Sequence, residues 1–120
     1  ALAGDLSMLH DVGALATAAR LRIPVTVVVV NNDGGGIFHL LPQAGHPSFE
    51  RHWGTPHGLD FTKVAAAFGV EAEVITERNA LAEAVATTPD RPRVLELRTD
   101  RVENAGLHRA IRDAVGRVLA

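Results

Sequence analysis

The stretch that most limits the fold is residues 25–30, five valines and one threonine that follow Pro24. All six side chains are β-branched, which favours a strand. None of them is charged, so neither face of such a strand would be strongly polar. A strand without a polar face is typical of a parallel sheet covered on both sides. The run is also far too short to cross a bilayer. It therefore predicts a central strand of a layered α/β domain.

Helical and strand patterns alternate around this strand. Ser7 is a predicted N-cap for a helix that ends before Pro24. Its apolar residues recur at helical spacing: Met8, Leu9, Val12, Leu15, Ala16 and Ala19. Residues 43–58 lack periodicity and are rich in glycine and proline, so they are predicted to form a long loop. Loops of this length commonly act in binding.

The second half repeats the alternation. Asp60 is a predicted N-cap for a helix that stops at Gly69, and Asn79 for a second helix. Strands are predicted at residues 70–75 and 93–98, and a last helix at about residues 103–119. One face of that helix is expected to cover the core: Leu107, Ile111, Ala114, Val115 and Val118. The order predicts a doubly wound, mostly parallel sheet with helices on both faces.

Composition narrows the class of protein. The 120 residues suit one domain, and their net charge of −2 offers no footprint for nucleic acid or an anionic membrane. The absence of cysteine excludes disulfides and permits a cytoplasmic location, which we expect. Only three residues precede the Gly4-Asp5 pair, so we expect an N-terminally truncated piece of a longer enzyme.

Two polar motifs follow predicted strands. Asp5 and Asn32 are 27 positions apart and both follow strand ends, which in a parallel sheet lie at the same edge. Their backbones would be about 5 Å apart on adjacent strands and about 10 Å apart with one strand between them, and either distance lets the two side chains share one ion. A carboxylate, an amide oxygen and a carbonyl from the glycine turn are hard donors that suit Mg²⁺. We expect backbone amides of Leu6, Ser7 and the glycines to cradle phosphates, with the glycines leaving room for the ligand.

The motifs carry a resemblance. The pattern "GDLS…VVVVNN" resembles the metal and diphosphate fingerprint of thiamine-diphosphate enzymes. With "NNDGGGIFHLLPQ" and "WGTPHGLDF", the motif "GDLSMLHDVGAL" resembles one group, the 2-succinyl-5-enolpyruvyl-6-hydroxy-3-cyclohexene-1-carboxylate synthases of menaquinone biosynthesis. The likeness is specific from Gly4 to about Phe61, and beyond that lies mainly in element order. It implies that residues 1–120 are the C-terminal part of the diphosphate-binding domain, the enzyme's other domains being absent.

The resemblance implies a role for each matching residue. Metal ligands for Mg²⁺ or Mn²⁺ would be Asp5, Asn32 and the carbonyl of Gly34. Residues at the thiamine diphosphate would be Gly4, Leu6, Ser7, Asn32, Gly35, Gly36 and Ile37. The substrate side of the pocket would be lined by Ile37, Phe38 and Leu41.

It also implies a reaction. The family decarboxylates 2-oxoglutarate and adds the resulting four-carbon unit to isochorismate, as a homodimer or homotetramer. The glutamate that activates the cofactor comes from another domain, so no catalytic residue is expected in this chain and it is predicted to be inactive alone. Arg51, His52 and His57 in the long loop are candidates for facing the anionic substrates, although loop polarity alone also explains them.

Three alternatives remain open from sequence. One is another thiamine-diphosphate enzyme, of the acetolactate synthase or decarboxylase type. Another is a non-catalytic nucleotide-binding α/β module, although "GDLSML" lacks the second glycine of the G-x-G-x-x-G turn. The last is an isolated folding unit that binds no ligand.

Overall fold

A computed structural model describes residues 1–119. The chain forms two compact units, each built from two stretches of sequence. The first, here called the sheet unit, comprises Ala1–Asn31 and Leu59–Arg98. The second, the loop–helix unit, comprises Asn32–Gly58 and, within the described chain, residues 99–119. None of the described helices is long and apolar enough to cross a membrane.

The sheet unit contains four parallel strands in the order β1-β2-β4-β3. They are β1 (Leu2–Gly4), β2 (Thr26–Asn31), β3 (Glu71–Val74) and β4 (Arg93–Arg98). Gly4 of β1 pairs with Val30 of β2, so these two strands end side by side. The β-branched run therefore forms a central strand, as its composition predicts.

Helices cover both faces of this sheet. They are α1 (Asp5–His10), α2 (Ala14–Leu21), α3 (Phe61–Ala67) and α4 (Arg78–Ala86). Val29 and Val94 belong to the core cluster that contains Met8, Leu15 and Phe61. Their strand neighbours belong to a second cluster with Leu81 and Ala84 of α4: Val28 and Leu95. Because successive strand residues point to opposite faces, the two clusters lie on the two sides of the sheet. The predicted fold class is confirmed.

Two predicted N-caps are wrong. Ser7 lies inside α1, because Gly4 is in extended conformation at the N-cap position and the helix begins at Asp5. The predicted single helix is divided into α1 and α2, and α1 already ends at His10, with Asp11 in the C-cap position. Asn79 lies in the first turn of α4, whose N-cap position is held by extended Glu77 without a side-chain bond. Sequence identified cap-forming residue types here but not where the backbone turns.

Other predicted boundaries are confirmed. Asp60 caps α3, and its Oδ1 accepts hydrogen bonds from the backbone amides of Thr62 at 2.9 Å and Lys63 at 3.3 Å. Gly69 follows that helix with a φ of +70°, a conformation that glycine adopts without penalty. The predicted strand 93–98 matches β4 at both ends.

The loop–helix unit is more ordered than predicted. The segment predicted as a loop contains helical turns, which are 3₁₀ at Pro42–Gly45 and π-helical at Glu50–Gly54. Before them is a 3₁₀ helix, Gly36–Leu40, against which helix α5 (Arg101–Leu119) packs. Helix α5 starts two residues earlier than predicted, because Asp100 Oδ1 accepts the amides of Val102 and Glu103 at 2.7 and 2.8 Å.

The expectation that α5 covers the core is wrong. The residue that α5 buries is Ala105, which does not belong to the predicted face. The predicted face is exposed: Leu107 by 59%, Ile111 by 52%, Val115 by 52% and Val118 by 85%, with Ala114 also exposed. An apolar stripe shows which residues share a face, but not whether another element packs on it.

Candidate functional site

The sheet unit places Asp5 at the end of β1. Its side chain is only 3% exposed, and Oδ1 accepts the Leu6 amide at 2.7 Å. Ser7 is exposed and Leu6 is half-buried. A Cβ on Gly4 would meet nothing within 4 Å, so protein packing does not require glycine there. Asp5 is thus a buried carboxylate at the carboxyl end of a parallel strand, where ligands bind in such folds.

The end of β2 carries a polar cluster that the sequence analysis missed. Asn31 Nδ2 donates to Glu96 Oε1 at 2.7 Å and to the carbonyl of Leu59 at 3.1 Å. Glu96 is fully buried, and Arg98 Nε donates to the same Oε1 at 3.2 Å. Glu96 hydrogen bonding to Arg98 raises the pKa of the guanidinium. In "RVLELR", the two-residue period puts Glu96 on the same face as buried Val94, and that was the available signal.

One condition of the predicted metal site is met. Strands β1 and β2 are adjacent and parallel, with Gly4 opposite Val30. Asp5 belongs to the sheet unit, whereas Asn32 and Gly34 belong to the loop–helix unit. Their sharing of one ion stays a prediction.

The glycine turn, residues 34–36, is closely packed by its own unit. A Cβ on Gly34 would lie 2.0 Å from the Gly54 carbonyl oxygen, and one on Gly35 would lie 2.1 Å from that of Trp53. The Gly35 amide donates to the Gly54 carbonyl at 2.7 Å. The expectation that the glycines leave room for a ligand is therefore corrected for Gly34 and Gly35. The backbone of residues 53–54 occupies the space where their Cβ atoms would be.

The backbone of this turn is well defined. Gly35 has φ −77° and ψ 61°, and the Gly36 amide donates to the Gly34 carbonyl at 2.9 Å, which is an inverse γ-turn. Gly34 has a φ of +123°, which is open to glycine and strained for other residues. A Cβ on Gly36 would lie 2.5 Å from Asn32 Nδ2. The turn thus carries several backbone amides and carbonyls on a short, fixed path.

Asp33 ties the start of the loop to its end. Its Oδ1 accepts the amides of Gly58 at 2.7 Å and His57 at 2.9 Å. The Gly58 hydrogen bond is the main cause that lowers the pKa of the Asp33 carboxyl. His57 Nδ1 lies 3.7 Å from the same oxygen, and the side chain is only 11% exposed. Of the three loop candidates for substrate contact, Arg51 and His52 are exposed, whereas His57 is largely buried.

Aromatic rings organise the middle of the loop. Phe49 stacks on Trp53 with ring centroids 6.2 Å apart, and His39 meets Phe49 edge-on at 4.5 Å. His46 and His52 contact Trp53 edge-on. These contacts hold the π-helical turn Glu50–Gly54, whose last two carbonyls approach the glycine turn.

The predicted substrate-lining residues lie on or next to the 3₁₀ helix Gly36–Leu40. Ile37 is 69% exposed and Leu41 is 43% exposed, whereas Phe38 is half-buried. Exposed apolar side chains next to the glycine turn are compatible with a ligand-facing surface. Their role in substrate binding stays a prediction.

Comparison with known proteins identifies the family. Residues 1–97 match the family model described as "Thiamine pyrophosphate enzyme, C-terminal TPP binding domain". The chain belongs to this family. Thiamine pyrophosphate is the same compound as thiamine diphosphate, so the cofactor class inferred from the motifs is confirmed.

Individual relatives of this thiamine pyrophosphate domain agree with the motif resemblance. The 2-succinyl-5-enolpyruvyl-6-hydroxy-3-cyclohexene-1-carboxylate synthase of Thermobifida fusca is 48% identical over 116 residues, covering 96% of this chain and 21% of that protein. The synthase of the same name from Saccharopolyspora erythraea is 46% identical over 120 residues, again 96% and 21%. The chain thus spans about a fifth of the length of these relatives. The resemblance inferred from sequence is confirmed.

A solved structure supports the fold. The thiamine diphosphate-dependent 4-hydroxybenzoylformate decarboxylase of Rhodococcus jostii RHA1 superposes with a TM-score of 0.66 at 28% identity. The match covers 82% of this chain and 19% of that one. The family model and this solved structure both name thiamine diphosphate, under its two names.

The chemistry of the predicted metal ligands suits Mg²⁺. The ligands predicted for Mg²⁺ comprise a carboxylate, an amide oxygen and a main-chain carbonyl, all hard oxygen donors. Within residues 1–119, no group of three or more His, Cys, Asp or Glu side chains is arranged to hold a metal. A set with one carboxylate does not require such a group, because substrate phosphates and water complete the Mg²⁺ shell.

Proposed function

We propose that this chain is the diphosphate- and metal-binding part of a synthase that decarboxylates 2-oxoglutarate and adds the four-carbon unit to isochorismate, in menaquinone biosynthesis. The observation that carries the proposal is the 48% identity to a synthase so named, over 96% of the chain. The parent enzyme is proposed to be cytoplasmic and a homodimer or homotetramer, as the resemblance implies. The proposal concerns the whole enzyme, of which relatives have about five times this length.

Each unit contributes its own donors in this proposal. The sheet unit supplies the buried carboxylate of Asp5 and the backbone of Gly4, Leu6 and Ser7. The loop–helix unit supplies the side chain of Asn32, the carbonyl of Gly34, and the backbone of residues 35–37. Mg²⁺ or Mn²⁺ would be held by Asp5, Asn32 and Gly34, and the remaining groups would bind the diphosphate. Support comes from the hard oxygen donors of the metal set. The amides of Gly35 and Gly36 already donate to the Gly54 and Gly34 carbonyls, so these two residues would contribute through the shape of the turn.

The protein's task is orientation and exclusion of water. When bound, thiamine diphosphate supplies an electron sink for breaking the carbon–carbon bond beside a keto group. Ile37, Phe38 and Leu41 are proposed to give the substrate an apolar wall, which strengthens electrostatic interactions by excluding water. Hydrogen bonds from the Gly35 and Gly36 amides hold the glycine turn in one conformation, so that the orientation of a ligand beside it would not be lost to backbone motion.

The chain alone is proposed to lack synthase activity, because no glutamate in it suits activation of the cofactor. Glu50 pairs with Arg101 at 2.7 Å. Glu96 is fully buried against Asn31 and Arg98. The remaining glutamates are exposed: Glu71, Glu73, Glu77, Glu83 and Glu103. The activating glutamate is therefore assigned to another domain of the parent enzyme.

A second candidate is a thiamine-diphosphate decarboxylase without the carboligation step. The structural likeness to the Rhodococcus decarboxylase favours it, but at 28% identity against 48% for the synthase. A substrate assay on the whole enzyme separates the two candidates. Consumption of 2-oxoglutarate that depends on isochorismate supports the synthase, whereas isochorismate-independent decarboxylation of a 2-oxo acid supports the decarboxylase.

The binding proposal is tested by isothermal titration of thiamine diphosphate, with and without Mg²⁺, into the chain. We expect binding that requires the metal and that Asp5→Ala abolishes. Asp11→Ala is the matched control, since it removes an exposed carboxylate just beyond α1. The proposal would be contradicted if the unsubstituted chain and Asp5→Ala gave equal heats of thiamine diphosphate binding that do not depend on Mg²⁺. Circular dichroism of each variant shows first that it is folded.

A further inference from the structure

Arg101, the first residue of α5, pairs with a carboxylate and lies close to two glycines inside the loop–helix unit. Its Nη2 donates to Glu50 Oε2 at 2.7 Å. Its Nη1 lies 2.7 Å from where a Cβ on Gly54 would be, and its own Cβ lies 3.3 Å from the corresponding position on Gly36. Although arginine is normally a surface residue, this side chain is only 14% exposed. The guanidinium is therefore held in one place.

The partner of Arg101 belongs to the π-helical turn that contacts the glycine turn. Glu50 opens the π-helical turn that ends at Gly54, and the Thr55 amide closes it on the Glu50 carbonyl at 2.7 Å. The Gly54 carbonyl then accepts the Gly35 amide at 2.7 Å. The Arg101 guanidinium thus binds the first residue of the π-helical turn, and the carbonyl of its last residue binds the Gly35 amide.

We propose that Arg101 is a positioning residue for the cofactor site: it holds the π-helical turn against the glycine turn, and so fixes the backbone of residues 34–36. The inference rests on the proposed function, which places that backbone beside the metal and diphosphate. It differs from a purely structural role because it ties Arg101 to the affinity of the folded protein for its ligand. Arginine suits the task, since a planar guanidinium both packs flat and pairs with a carboxylate.

The test compares Arg101→Met, which keeps much of the side-chain length, with Arg101→Lys, which keeps the charge. Arg112→Met is the matched control, because Arg112 is on the same helix and 73% exposed. Metal-dependent thiamine diphosphate affinity is measured by calorimetry on folded protein. Loss of outer partners that orient ligands typically weakens metal affinity at least about tenfold. We expect that loss in Arg101→Met, partial recovery in Arg101→Lys, and the parent affinity in Arg112→Met.

Emission from Trp53, the single tryptophan, gives a second readout of the π-helical turn. We expect it to change in Arg101→Met and to remain at the parent value in Arg112→Met. If Arg101→Met does not fold, Glu50→Gln removes the charge pair more gently, and a weaker affinity is again expected.

The outcomes separate the two proposals. If the unsubstituted chain binds in a metal-dependent way and a folded Arg101→Met binds with the same affinity, only the positioning role is overturned. The same holds if Arg101→Met lowers only the urea midpoint. If the unsubstituted chain shows no metal-dependent binding, the proposed function is overturned, and the inference with it.

Discussion

Replacing Gly35 with alanine tests how the glycine turn is built. The dihedral angles of Gly35 suit an inverse γ-turn, which alanine also adopts, so backbone strain contributes little. The added Cβ would lie 2.1 Å from the Trp53 carbonyl oxygen, whereas ordinary contacts begin at 3.4 Å. A backbone carbonyl cannot rotate away as a side chain can. Residues 53–54 must therefore move away from the turn.

The free energy follows from three contributions. Overpacking of this kind costs about 1–3 kcal/mol. Weakening of the Gly35–Gly54 hydrogen bond adds about 1 kcal/mol. Alanine also lowers the conformational entropy of the unfolded chain, which stabilises the folded protein by about 0.4–1 kcal/mol. We expect Gly35→Ala to lower the free energy of unfolding by about 1–3 kcal/mol, with the first two contributions dominating.

Two glycines in the same unit serve as controls. A Cβ on Gly45 meets nothing within 4 Å, and its φ is not positive, so Gly45→Ala is expected to be neutral or slightly stabilising. Gly58 has the same open space but a φ of +63°, so Gly58→Ala isolates the left-handed penalty of about 1 kcal/mol. Urea unfolding followed by circular dichroism and by Trp53 emission provides the free energies. Equal stability of Gly35→Ala and Gly45→Ala would refute the steric argument.

Two further predictions concern the sheet unit. Arg93 donates to Thr26 Oγ1 at 2.9 Å and to the Thr87 carbonyl at 2.8 Å beyond the end of α4, so Arg93→Met should lower the free energy of unfolding by about 1–3 kcal/mol. Urea unfolding checks this, with exposed Arg91→Met as the control. The Thr62 hydroxyl is the main cause that lowers the Asp60 pKa from 3.8 to about 2. A lowered folded-state pKa contributes stability above pH 3.8 that is lost as the pH falls through about 2. Over that interval the urea midpoint should fall less steeply in Asp60→Asn than in the parent, and equal slopes would contradict the assignment.

The strands were predictable from sequence because their signals are local, whereas their order in the sheet was not predicted. A β-branched run defines β2, and alternation in "RVLELR" defines β4 to the residue. The predicted N-caps Ser7 and Asn79 are wrong because an N-cap lies where the backbone leaves the extended conformation. In this chain those positions are Gly4 and Glu77. Side-chain type alone does not contain that information.

The candidate site was likewise predictable from sequence only in part. The family motifs around Asp5 and Asn32 could be found from sequence, because their spacing reflects one strand–helix–strand unit. The support of the glycine turn by residues 53–54 could not, because it joins segments nearly 20 positions apart through backbone atoms. The roles of Glu96 and Arg101 also depend on long-range contacts, which a single sequence does not reveal.

The buried pair Asn31–Glu96 also constrains how the strands align. Strands β2 and β4 are so rich in valine and leucine that apolar packing distinguishes poorly between neighbouring alignments. A slip of β4 along β2 would carry the Glu96 carboxylate away from Asn31 and leave a fully buried charge short of a donor. The penalty falls on misaligned sheets and not on the native one. A polar contact in an apolar sheet thus favours one alignment of β2 with β4 over the neighbouring ones.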